Sequence, residues 1–358
     1  EGAPMGFLDI GGGLGVDYDG SKSNFTNSMN YGLKEYCMDV VEVIMGVCDE
    51  NNTPHPTIIS ESGRATVAYY SVLLFNVLDV RKFEALPLPE KLDENIHDNI
   101  KNLLEVAKDI NLKNIQECYN DAIFYRDEIR ELFKHGEISL RERSLSEKIF
   151  WNIIHQIVYN YKKLKRKPIE LENIDIALSD IYYCNFSVFQ SLPDSWAIDH
   201  LFPIMPIHRL HEKPTRQAII ADITCDCDGK IDKFIDLHDM SHTLPLHELI
   251  ENEEYYLGAF LVGAYQETLG DLHNLLGDTN VVSIRLNEDG SYDFVRELEG
   301  DSVADVLSYV EYDPKAMVVR FRETAERAVR DKKITVAERR SIMQAFENGL
   351  RGYTYYEK

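Results

Sequence analysis

Phe7-Leu-Asp-Ile-Gly-Gly-Gly-Leu-Gly-Val-Asp-Tyr18 runs from a short apolar strand directly into a glycine turn. Without Cβ atoms, such a turn lets backbone N–H groups approach an anion closely, so a phosphate is its natural guest. The Lys-Ser/Thr of a P-loop is absent, and the spacing is not the GxGxxG of a dinucleotide fold, which makes a dehydrogenase remote. Alone, the turn reads equally as structural. A second strand-like run, Thr57-Ile-Ile-Ser60, ends in Glu61-Ser-Gly-Arg64. A carboxylate, a glycine and an arginine at a strand's C-terminal end are what barrel enzymes place in their active sites. A strand-end ion pair is the alternative.

Outward from these turns the pattern divides the chain into four regions. Residues 1–84 alternate strand, helix (Tyr31 to Cys48) and strand, then enter a β-branched and aromatic run from Thr66 to Val80. Such alternation marks a parallel sheet or barrel, and Phe7–Ile10 reads as a buried strand. Residues 85–174 begin with the proline-rich Leu86–Glu90 and turn helical. Ile96, Ile100, Leu103, Leu104 and Ala107 share one face, as do Ile115, Tyr119, Ala122, Ile123 and Ile129, then Ile149, Ile153 and Ile157. His135-Gly136 stops a helix, and the basic run Lys162–Lys167 reads as a solvated last turn. Residues 175–312 carry strands at Gln217–Ile223, Leu257–Tyr265, Val281–Leu286 and Tyr292–Leu298, with Asn287-Glu-Asp-Gly290 as a hairpin turn. Residues 313–358 return to helix, started by Asp313-Pro314 and by the capping box Thr335-Val-Ala-Glu338.

With 44% hydrophobic and 28% charged residues, the 358-residue chain has the composition of a soluble globular protein. Its net charge of −23 argues against nucleic acid as a partner; it would suit a cationic substrate, although acidic surfaces usually serve solubility alone. The longest apolar stretch, Val67 to Val80, is shorter and more polar than the roughly 20 apolar residues a membrane span needs. Six cysteines without a CxxC pair read as reduced thiols of a cytoplasmic protein. Glu1-Gly-Ala-Pro-Met-Gly runs within a few residues into a strand, as a cut end would, which leaves any targeting segment unreadable.

Thr224-Cys-Asp-Cys-Asp-Gly229 fails as a calcium loop, because Thr224 and Ile235 stand where Asp and a bidentate Glu are needed. A Cys-x-Cys pair without nearby partner cysteines is poor zinc spacing, and His242 and His247 read as surface histidines. A reactive thiol beside a carboxylate stays open.

In their order, the glycine turn, Glu61-Ser-Gly-Arg64, Thr224-Cys225-Asp226 and Gly263-Ala-Tyr265 resemble the alanine-racemase-like pyridoxal-phosphate decarboxylases. The long helical insertion, Asn185–Asp194 and Gly270-Asp-Leu-His-Asn274 are similar to the biosynthetic arginine decarboxylases among them, over essentially all 358 residues. The resemblance implies an α/β plus β fold: the C-terminal part of a (β/α)8 barrel, an inserted helical bundle, a β-barrel-like domain and C-terminal helices. It implies pyridoxal 5′-phosphate held by Gly11, Gly12, Gly13, Gly63, Arg64 and Tyr265, with Glu61 on the pyridine nitrogen. Cys225 would govern proton return to the substrate carbon, and Asp226 would bind substrate.

The resemblance also implies L-arginine as substrate, agmatine and CO2 as products, a magnesium requirement with no ligands legible here, and a homodimer or larger oligomer with shared active sites. The cofactor-bearing lysine and most of the barrel would lie upstream of Glu1. Cys227 stands where these decarboxylases usually carry serine. Alternatives are an ornithine, lysine or diaminopimelate decarboxylase of the same fold, with Asp194 or Asp199 open as a second substrate acid, or a non-catalytic regulatory relative.

Overall fold

The computed structural model describes residues 6–89, 95–236 and 240–357; Glu1–Met5 and Glu90 lie outside them. The chain begins with β1 (Phe7–Asp9), α1 (Leu33–Glu50) and β2 (Thr57–Ile59). β1 and β2 pair in parallel, Phe7 opposite Thr57 and Asp9 opposite Ile59, as a sheet of two strands. The strand that reads as buried is therefore open. Phe7 is 68% exposed, and α1 buries none of its residues, although it carries Met38, Val41, Val43, Met45 and Val47. Apolar strands bury their side chains only where further layers cover them, and two strands with one helix cannot enclose a core.

The apolar run after Arg64 divides into α2 (Gly63–Val67), a 3-10 turn at Ala68–Tyr70 and β3 (Val72–Arg81). The bundle follows as α3 (Asp98–Asp109), α4 (Ile115–Lys134) and α5 (Leu140–Tyr161). Its core is the set of faces read from periodicity: Ile100, Leu103, Ile129, Ile149, Ile153 and Ile157 are fully buried. α4 ends at Lys134, and Gly136 takes the left-handed φ of +76°. The basic run lies beyond α5 rather than in its last turn, and Lys163 and Lys167 sit over the rings of Tyr159 and Tyr161.

The second half carries β4 (Asp180–Cys184), α6 (Val188–Ser191), α7 (Pro193–Ala197), β5 (Ile204–Pro206) and β6 (Arg216–Ala221). The short strands β7 (Lys230–Ile231), β8 (Phe234–Ile235), β9 (Met240–Ser241) and β10 (Leu244–Leu246) lead to β11 (Tyr256–Phe260). A seven-stranded sheet runs β10-β6-β4-β3-β11-β5, with β7 beside β6 and only the β4–β6 pair parallel. β3 thus belongs to this later sheet and not with the α/β segment 1–84 where its sequence position places it, because β4 and β11 supply its partners. β11 ends at Phe260 rather than near Tyr265, since Leu261 turns to a φ of +62°. Tyr182, Phe186, Ile220 and Leu257 fill the core, with Phe75 stacked on Phe186 at 4.3 Å.

His247 is a buried histidine, not a surface one. Its Nδ1 pairs with the Tyr255 hydroxyl at 2.8 Å and its Nε2 with the Glu212 carbonyl at 3.0 Å. Local polarity at 242–247 concealed that Leu244–Leu246 joins the sheet edge and carries the imidazole inward.

The hairpin β12 (Val281–Leu286) and β13 (Tyr292–Leu298) turns at Asn287–Gly290, where Gly290 has a φ of +83°. Three helices close the chain: α8 (Val303–Tyr309), α9 (Pro314–Arg330) and α10 (Val336–Arg351). Asp313 caps α9, and Thr335 and Glu338 form the reciprocal box at α10.

One ion pair ties the parallel strands together. Asp180 is 1% exposed, and both its oxygens accept from Arg216, at 2.6 and 2.8 Å. Arg216→Met would strand that buried carboxylate and should cost about 3–5 kcal/mol in urea denaturation. The double change Asp180→Leu with Arg216→Met should recover most of the loss. A single substitution that leaves the midpoint unmoved would refute this reading.

Candidate active site

The pairing of β1 and β2 continues beyond the strands. The Ile10 N–H donates to the Ile59 carbonyl at 3.0 Å, and the Glu61 N–H to the Gly11 carbonyl at 2.9 Å. The glycine turn and Glu61-Ser-Gly-Arg64 therefore leave two adjoining strand ends side by side. Gly11 and Gly13 hold φ of +69° and +103°, a region L side chains rarely adopt. Nothing lies within 4 Å of where a Cβ on Gly12 or Gly63 would stand. Asp9 Oδ1 accepts from the Gly11 N–H at 2.8 Å, and the Tyr31 hydroxyl from the Gly15 N–H at 2.9 Å. The backbone between them is open to solvent.

Arg64 reaches back to this turn. Its Nη1 donates to the Tyr18 hydroxyl at 3.0 Å, and its guanidinium lies 4.9 Å from the centre of the Tyr265 ring. A backbone clamp brings Tyr265 there: the Gly263 N–H donates to the Ala68 carbonyl at 3.1 Å and the Val262 N–H to the Ser71 carbonyl at 3.3 Å. A Cβ on Gly263 would stand 2.0 Å from the Val67 carbonyl oxygen and 2.5 Å from the Tyr70 ring, so only glycine fits. Tyr265 itself takes a φ of +71°. Glu61 is exposed, and among the described residues its carboxylate has no hydrogen bond or ion pair.

Tyr18 is 4% exposed; burial pushes its hydroxyl pKa up, while Arg64 acts in the opposite direction. The edge of its ring meets His200 at 4.3 Å. His200 is pushed down to about 4, first by burial and then by Arg64, and its buried Nε2 has no hydrogen-bond partner among the described residues. It stands beside Arg64 as a neutral ring. Neither Tyr18 nor His200 is marked by the sequence as functional: Tyr18 closes the glycine motif, but only the fold turns it under Arg64.

Cys225 and Asp226 lie on the turn from β6 to β7. Asp222, 3% exposed, organises that turn by accepting from the Val188 N–H at 2.8 Å and from Thr224 through its N–H and hydroxyl, at 2.8 and 2.7 Å. Among the described residues no hydrogen bond or ion pair joins Cys225 or Asp226 to Gly11–Gly13, Glu61, Arg64 or Tyr265. Asp226, Cys227 and Asp228 are exposed, with ligand atoms within 4.8 Å of one another.

Of the two candidate substrate acids, Asp194 is buried and engaged, accepting from Gln266 Nε2 at 2.7 Å. Asp199 is exposed and paired with Lys233 at 2.6 Å. It lines a cleft of about 300 Å3 with Trp196, His200, Asp228 and Asp232. No helix among the described residues is long and apolar enough to cross a membrane.

Comparison with known proteins places this geometry. Residues 1–68 match the pyridoxal binding domain of the pyridoxal-dependent decarboxylases, the class that the paired strand ends suit. Residues 93–175 match the arginine decarboxylase helical bundle domain, and 303–356 the arginine decarboxylase C-terminal helical extension. The chain is 48% identical to the biosynthetic arginine decarboxylase of Gloeobacter violaceus, over 99% of this chain and 55% of that protein. It is 46% identical to that of Bacteroides thetaiotaomicron, over 98% and 56%. The crystal structure of the biosynthetic arginine decarboxylase of Campylobacter jejuni superposes with a TM-score of 0.78 at 33% identity, covering 98% of this chain and 56% of the other. The chain belongs to the biosynthetic arginine decarboxylase family, and it spans about half the length of the curated relatives it matches.

Two outcomes follow from this geometry. Gly263→Ala should lower the thermal midpoint and release Tyr265 from Arg64, read as a rise in Tyr265 ring mobility by NMR; a fully stable variant would refute the clamp. For His200, the unfolded chain takes up the proton near the ordinary value of 6.5 and the folded chain only near 4. Its contribution to stability is therefore complete above about pH 6.5 and is lost as pH falls towards 4. His200→Phe should flatten that part of the pH–Tm profile, and an unchanged slope would show that His200 does not titrate this way.

Proposed function

We propose that the enzyme to which this chain belongs uses pyridoxal 5′-phosphate to decarboxylate L-arginine to agmatine and CO2, in the service of polyamine synthesis. The observation that carries this reading is the junction at Glu61 and Gly11. It sets an open glycine backbone, a carboxylate and a guanidinium braced by two tyrosines on adjoining strand ends.

These residues suit a phosphorylated pyridine. Gly11, Gly12, Gly13 and Gly63 offer backbone that can approach a phosphate, and Arg64 supplies the charge, held in orientation by Tyr18 and Tyr265. Glu61, whose carboxylate has no partner among the described residues, is the acid we assign to the pyridine nitrogen, where it holds a proton. When bound, the cofactor supplies the electron sink for the pair left at Cα as CO2 departs. Cys225 is assigned proton delivery at that carbon and Asp226 the guanidinium of the substrate, a planar cation that acids bind in bidentate fashion. Asp199, exposed in its cleft, is the better second acid than Asp194.

We place Cys225 and Asp226, which sit on a different turn of the fold from Arg64, in the site of a second copy, in a homodimer or a larger homo-oligomer. The net charge of −23 favours approach of a cation such as arginine. A cytoplasmic location accords with six unpaired cysteines. Magnesium fits less well: it takes oxygen ligands in octahedral geometry, and the grouping at Asp226, Cys227 and Asp228 has a thiol at its centre.

The test uses the full-length enzyme, with arginine, ornithine, lysine and diaminopimelate compared as substrates. Arginine should have the highest kcat/KM; preference for any other amino acid overturns the substrate assignment. Loss of a charge-assisted hydrogen bond predicts that Arg64→Ala weakens cofactor binding by about ten- to a hundredfold, read by fluorescence titration. Glu61→Gln should bind cofactor nearly normally and lose turnover. A Glu61→Gln enzyme with wild-type kcat would remove Glu61 from the chemistry.

A further inference from the structure

The turn Gly270-Asp-Leu-His-Asn274 lies far along the sequence from Cys225, yet it closes on it. Asn274 Oδ1 accepts from the Cys225 backbone N–H at 3.0 Å, and the same amide's Nδ2 donates to Cys225 Sγ at 3.4 Å. One side chain thus grips both the backbone and the sulfur of a single residue. The grip depends on an unusual backbone, since Asn274 and Leu275 both adopt left-handed conformations, with φ of 55° and 57°. Asparagine tolerates that region better than most residues, but two in succession carry strain that surrounding contacts must hold.

Those contacts are present. Gly270 approaches the Gln190 carbonyl so closely that a Cβ would stand 2.5 Å from it, and the Asp271 N–H donates to the Phe189 carbonyl at 3.0 Å. The preceding residue, His273, lies against the Phe189 ring at 4.5 Å and places its Nε2 3.9 Å from Asp226 Oδ2. The turn faces the Cys225-Asp226 pair with one side chain for each member. Cys225 is exposed, and its backbone amide has no other acceptor among the described residues. Without Asn274 the thiol would sample many directions.

We propose that Asn274 is a positioning residue: it fixes the direction in which the Cys225 thiol points, and with it the geometry of proton transfer at the substrate carbon. This rests on the assignment of Cys225 given above. The amide reaches neither substrate nor cofactor in this scheme; it acts through the sulfur.

The test separates the two bonds in the full-length enzyme. Asn274→Gly suits the left-handed backbone and removes both bonds, whereas Asn274→Asp keeps an acceptor for the Cys225 N–H and loses the donor to sulfur. By hydrogen exchange, the Cys225 amide should exchange about three- to tenfold faster in Asn274→Gly and stay protected in Asn274→Asp. With arginine, both variants should lose kcat by about tenfold or more while KM moves less than about twofold, since orientation is lost and binding is not. Unchanged Cys225 exchange in Asn274→Gly overturns the grip. Normal kcat in either variant overturns the positioning role. A Cys225→Ala enzyme with normal kcat would instead overturn the assignment of Cys225 itself, and the exchange result would stand apart from it.

Discussion

The site depends on the backbone register between two three-residue strands. Pairing Asp9 with Ile59 in parallel forces the segments that follow to emerge together, and the Glu61 N–H to Gly11 carbonyl bond joins them at the point of exit. A slip of one residue would carry Glu61 to the opposite face and draw Arg64 away from the glycine turn. The Arg64 to Tyr18 hydrogen bond relies on that register. The register is a constraint of main-chain hydrogen bonding, which is why a weak sequence signal at each turn becomes a strong one when the two are adjacent.

Around that junction the fold works by close backbone approach. Gly263 brings Tyr265 to Arg64 because a carbonyl oxygen occupies the space a methyl group would need. Gly270 seats the turn that carries Asn274 against Gln190 in the same way. Both glycines are structural devices that deliver a polar side chain from a distant segment. The seven-stranded sheet is their common support: β3 follows directly from the Arg64 helix, and β11 leads directly into Gly263, so the β3–β11 pairing holds the two halves of the arginine clamp together.

The exposed apolar faces of β1, β2 and α1 show the reverse of this economy. A parallel pair with its helix covers little of its own surface, and Phe7 and Val43 remain more than half exposed. The bundle of α3, α4 and α5 encloses its own core. The two regions differ in whether periodicity can be satisfied within the segment.

Helix patterning, caps and the Asn287–Gly290 hairpin were legible in the sequence because each is decided within a few residues by dihedral preference and local hydrogen bonding. The glycine turn and the strand end at Glu61–Arg64 were legible for the same reason. The placement of β3 was not, since strand pairing is a long-range choice that residues 66–80 do not encode alone. Nor was the burial of His247, which follows from a strand thirty residues away, nor Tyr18 under Arg64, nor Asn274 on Cys225. The chain by itself determined which chemistry is present: glycines, an acid, an arginine and a thiol. Tertiary structure alone decided which of these share one space, because only folding converts separations of tens or hundreds of residues into hydrogen bonds about 3 Å long.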